Sequence, residues 1–93
     1  MSTSTTIPSA GDVEGYNTDQ LITYLQSYFQ KYGVTLSNSD IQKFREGDIN
    51  GRTFFTLTAD LLMQFGFSMG KSAILVGLIN NLNNQSKFYH KIV

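Results

Sequence analysis

The sequence predicts an all-α fold: a compact bundle of five helices, the third very short and the last long, in a chain of 93 residues. Three observations lead there. Apolar side chains recur three and four residues apart, the spacing at which a helix returns one face to a core. Residues that cap helix starts stand just before those segments: Asn17, Ser37 or Ser39, Thr58 and Ser68. Glycines able to close a helix, Gly33, Gly47 and Gly66, follow three of them.

Residues 1–15, "MSTSTTIPSAGDVEG", hold few large apolar side chains and the only proline, and are expected to be a flexible leader. Asn17 then starts the first helix, with Gln20 three residues on to complete a capping box. Leu21, Leu25, Tyr28, Phe29 and Tyr32 form its apolar stripe and are expected in the core, and Gly33 stops it. "GVTL" is a short extended link into the second helix, "DIQKFREG", where Ile41 and Phe44 face inward and Gly47 closes the segment.

"DINGRTFFTL" has room for only a turn or two of helix, with Ile49, Phe54 and Leu57 buried. Thr58 caps the fourth helix, "ADLLMQF", in which Leu61, Leu62 and Phe65 are expected to face the core. Asp60 in its first turn suits the positive end of the helix dipole. Phe67 is expected to be buried in the following loop. The last helix starts at Ser68 or Met69 and runs to about Asn84, with Ile74, Leu75, Leu78 and Leu82 on one face and Ile79 at its edge. Gly77 on the outer side either marks a close approach or is simply tolerated. The tail, residues 86–93, either extends that helix or forms a loose end; Phe88, Tyr89 and Ile92 make it sticky.

Seven basic and seven acidic residues balance to zero, which argues against a general attraction to nucleic acid or anionic membrane. No apolar run reaches the roughly 20 residues that span a bilayer. The Ser/Thr-rich start lacks the basic and apolar regions of a secretory signal. An intracellular, cytoplasmic protein is the expectation, with the nucleus also open to it.

Chemistry finds little to work with. There is no cysteine, and the lone histidine, His90, lies in the tail, so neither a nucleophile–base pair nor a thiolate metal site is expected. The triplet Gly70-Lys71-Ser72 ends like a phosphate-binding loop, but the position of that loop's first glycine is held by Phe65 and no strand precedes it. Asp48 and Asn50 open like a calcium loop. Arg52, Thr53 and Ala59 then occupy positions that need a ligand, a glycine and a closing glutamate. No catalysis, cofactor or metal is expected.

Particular residues agree with a known family. "INGRTFFTLTADLLMQFGFSMGKSAILVGLINNL" resembles the second half of a sterile alpha motif (SAM) domain. The agreement runs through Ile49 and Gly51, Phe54-Phe55, Leu57-Thr58, Asp60-Leu61, Phe65-Gly66-Phe67, Gly70-Lys71 and Ile74-Leu75. The first half departs from the pattern: Tyr16 and Tyr24-Leu25 stand where tryptophans are common, and "QKYGVTLSNS" is a long connection. The resemblance covers residues 16–85.

It implies a module for protein–protein association in a signalling or scaffold protein, its partner another SAM domain, of its own or a different kind, or another protein. Two surfaces are implied. A mid-loop surface carries Glu46, Asp48 and Asp60; an end-helix surface at the start of the last helix carries Met69, Gly70 and Lys71. Joined head to tail, such surfaces can build open oligomers. Lys71 and the positive helix end are expected to seek an acidic partner. The alternative within the resemblance is an RNA-hairpin reader. That needs a basic cluster, whereas Lys71 stands alone at the last helix start and Asp19 opens the first helix.

Overall fold

The computed structural model describes residues 8–92, with side chains described as far as Asn84. Among these are six helices: α1 (Ala10–Glu14), α2 (Thr18–Gln30), α3 (Asn38–Glu46), α4 (Gly51–Phe54), α5 (Ala59–Gln64) and α6 (Met69–Ile92). The five expected helices are α2 to α6, and the bundle is all-helical with a long last helix.

The helix starts follow local hydrogen-bond chemistry. The Gln20 N–H donates to Asn17 Oδ1 at 2.8 Å, and the Asn17 N–H donates to Gln20 Oε1 at 2.9 Å. Of the two candidates for α3, Ser37 is the cap, in a reciprocal box with Asp40. Thr58 Oγ1 accepts from the Leu61 N–H and Ser68 Oγ from the Lys71 N–H.

Three helix exits share one device. Gly33, Asp48 and Gly66 have left-handed backbones, with φ of 68°, 52° and 104°. The residue after each reaches back five positions: the N–H groups of Val34, Ile49 and Phe67 donate to the carbonyls of Phe29, Phe44 and Leu62. This closure satisfies carbonyls that the helix end leaves free and turns the next side chain toward the core. Ile49 and Phe67 are accordingly buried. Gly47 is the C-cap of α3, as expected, and the left-handed residue is Asp48, one position beyond it.

Leu21, Leu25, Phe29, Phe44, Ile49, Phe54, Leu75, Leu78 and Leu82 are buried as expected, and Ile41, Leu57 and Ile74 are packed against them. Three residues expected in the core are exposed instead: Leu61, Phe65 and Tyr32. Tyr32 stands past the end of α2, where its ring meets Tyr28 in a row that continues to Tyr24 and Tyr16. Ile22, Leu36 and Ile79 are buried core residues as well.

Residues 10–15, read from the sequence as part of a flexible leader, are instead α1 and its cap. Ser9 and Asp12 form a capping box, and Val13 is fully buried. The contact is a close one: the Gly51 N–H donates to the Tyr16 carbonyl at 2.9 Å. A β-carbon at Gly51 would lie 1.8 Å from the Val13 carbonyl oxygen, so only glycine fits. Gly77, by contrast, has open space around it and marks no close approach. The backbone of α6 continues to Ile92, so the tail extends the helix. Residues 1–7 and the side chains of Phe88, Tyr89, His90 and Ile92 lie outside the described residues. Among the described residues no helix is long and apolar enough to cross a membrane.

Candidate protein-interaction surface

Helix α5 has six residues, about one and a half turns, yet it and its cap carry four large apolar side chains: Leu61, Leu62, Met63 and Phe65. A helix this short can turn only one stripe inward. Leu62 takes the core position at 0% exposure. Leu61 and Phe65, four residues apart on one side of it, remain 47% and 37% exposed, and Met63 is 41% exposed.

Phe65 does not float free. Its ring leans on the backbone at the end of α3, where a β-carbon on Gly47 would come within 2.7 Å of Cζ. Its centroid is 6.2 Å from that of Phe67, which in turn packs on Phe44. Glu46 and Asp48 flank Gly47 in the chain and are both exposed. The exposed Asp60 lies in the first turn of the same α5. Glu46 and Asp48 therefore adjoin the backbone on which Phe65 leans, and Asp60 shares α5 with Leu61 and Met63.

At the start of α6, Met69 is 76% exposed, and the space around Gly70 is open. Lys71 behaves differently from its expected role. Its Nζ donates to Asp40 Oδ2 at 2.5 Å, joining α6 to α3 across 31 residues of chain. Asp40 itself is buried. Burial works to raise its pKa, but the hydrogen bonds from Lys71 and Ser37 and the Lys71 charge outweigh it, so the carboxyl titrates below its ordinary value. The expectation that Lys71 offers a free cation to an acidic partner is thus corrected: its counter-ion is within the chain. Ser72, the last of the Gly70-Lys71-Ser72 triplet, is buried, and its Oγ has no hydrogen-bond partner.

Arg45 and Asp19 form an exposed ion pair at 2.6 Å, tying the end of α3 to the start of α2. Around it Asn17, Thr18 and Asp48 complete a shallow, open depression. Arg45 is therefore also engaged within the chain.

Glu46 and Asp48 thus stand beside the glycine on which Phe65 leans, Asp60 lies in the first turn of α5, and Met69, Gly70 and Lys71 share the first turn of α6. Among the described residues no side-chain hydrogen bond or ion pair joins the two sets. Sequence reasoning missed Leu61, Met63 and Phe65 as surface residues. The signal was present in the excess of large apolar side chains over what so short a helix can bury.

A family model described as a SAM-like domain matches residues 1–81, a span that includes α1. No match appears among curated proteins or among solved structures. With a five-helix core, a long last helix and a family match over most of its length, the chain belongs to the SAM-like domain family, whose members are in general protein-interaction modules.

Proposed function

We propose that this chain is a protein–protein interaction module that docks partners through α5 and the start of α6. One observation carries the reading. Among the described residues, four of the five exposed large apolar side chains (Leu61, Met63, Phe65 and Met69) fall within one nine-residue stretch that runs from α5 into α6. Single exposed apolar residues are ordinary on any protein, but so many within one short stretch favour a docking surface. Glu46, Asp48 and Asp60 supply an acidic border to the α5 part, and Gly70 leaves room for a partner's backbone beside Met69.

The finer reading is head-to-tail self-association: Met69 and Gly70 of one copy meet the Leu61–Phe65 patch of the next, in a signalling or scaffold protein of the cell interior. Such a contact uses two unlike surfaces and leaves one of each free at the ends.

Light scattering across a concentration series tests it, on the native chain and on Met69→Glu and Leu61→Glu. Native mass should rise with concentration, and each variant alone should stay monomeric. An equimolar mixture of the two variants should form a heterodimer, because each retains one intact surface. A monomeric native chain would refute self-association, and a mixture that stays monomeric would refute the head-to-tail arrangement.

A further inference from the structure

Three groups from two helices converge on the Asp40 carboxylate. The Ser37 N–H donates to Oδ2 at 3.0 Å, and Lys71 Nζ donates to the same oxygen at 2.5 Å. Lys43 Nζ, one turn further along α3, stands 4.0 Å from Oδ1. Lys43 is held further by donating to Ser39 Oγ at 3.0 Å and by lying 5.7 Å above the Phe67 ring. Both lysine side chains are only 23% exposed, and that of Asp40 is 7% exposed.

The arrangement bears on what the α6 start can recognise. Two ammonium groups beside a helix N-terminus would ordinarily make a cationic patch, since the helix end adds about half a positive charge. Here one buried carboxylate draws both ammonium groups inward. Met69 and Gly70, the exposed residues of that turn, are left as apolar surface.

We infer that Asp40 is a specificity-determining residue of the α6 start: by holding Lys43 and Lys71 inward it presents Met69 and Gly70 as apolar surface and suppresses binding of polyanions. The inference deepens the docking role proposed above and rests on it for its biological meaning.

The substitution Asp40→Asn tests it, because the amide oxygen can still accept the Ser37 N–H while the charge is gone. The probe is a fluorescently labelled single-stranded oligonucleotide, read by anisotropy. Asp40→Asn should bind it more tightly than the native chain does. The gain should disappear in Asp40→Asn/Lys43→Met/Lys71→Met. Two phosphate contacts on a single strand should make the gained binding weaken about sevenfold when salt rises fourfold, from the slope of roughly 0.7 per contact. Affinity equal to native in Asp40→Asn, or a gain that survives loss of both lysines, would overturn the inference.

Amine labelling of the native chain with mass-spectrometric readout decides the matter even where a variant folds poorly. Lys43 and Lys71 should react several-fold more slowly than the exposed Lys31. Equal rates would also overturn it. Neither experiment requires the chain to self-associate, so the role of Asp40 and the head-to-tail contact can fail separately.

Discussion

Replacing Gly51 with alanine should detach α1 from the bundle. The added β-carbon would sit 1.8 Å from the Val13 carbonyl oxygen and 3.0 Å from that of Glu14, both backbone atoms that no rotamer change can move. The α1 segment must therefore lift away. Val13 then loses complete burial, which is worth about 1.5–3 kcal/mol for a side chain of its size. The hydrogen bond from the Gly51 N–H to the Tyr16 carbonyl goes with it, a net loss of roughly 1 kcal/mol. Alanine recovers at most about 1 kcal/mol through its higher helix propensity.

The balance is a destabilisation of at least about 1.5–3 kcal/mol. In a domain of this size about 2 kcal/mol lowers Tm by roughly 8–16 °C. Urea unfolding of Gly51→Ala measures the loss directly. A second comparison isolates its cause: in a chain lacking residues 1–15, the same substitution should cost almost nothing, since the obstructing backbone is gone. A full-length Gly51→Ala chain as stable as the native one would refute the packing of α1 on α4. An equal loss in the shortened chain would show that the penalty arises elsewhere.

Three further outcomes follow from single groups. Ser72→Ala should raise stability by about 1 kcal/mol, because it removes a buried hydroxyl with no partner; urea unfolding showing a loss instead would mean that Oγ is satisfied in solution. The Asp40 carboxyl titrates below its ordinary 3.8, so its contribution is present above that value and is lost as pH falls through the lower folded one. In acid unfolding curves that part of the loss should vanish in Asp40→Asn. Burial, followed by the hydrogen bond to the Tyr32 hydroxyl, pushes the Tyr28 phenol up from 10.0 to about 12. The stability this confers should be complete below pH 10.0 and be lost as pH rises to about 12. Ultraviolet titration of Tyr32→Phe should find the Tyr28 midpoint lower than in the native chain.

Helix starts were legible in the sequence because their chemistry spans four residues. Asn17 with Gln20, and Thr58 with the Leu61 N–H, need nothing beyond their own turn. The same logic was available at Ser9 and Asp12, yet sparse apolar content concealed α1; one valine sufficed once Gly51 let it approach. The apolar faces of α2 and α6 were equally readable, since a long helix repeats its pattern often enough to define a side.

Tertiary structure decided what repetition could not. In α5, Leu61, Leu62 and Phe65 were equivalent candidates for the core by residue type, and only the packing of neighbouring helices selected Leu62. Lys71 looked like a free cation because its counter-ion, Asp40, lies 31 residues away in the chain. Local sequence thus determined where helices begin and which long faces are buried, through hydrogen bonds and periodicity within a few turns. The chemistry left exposed was decided by which distant groups the fold brings within reach of one another, where burial and ion pairing depend on the whole bundle.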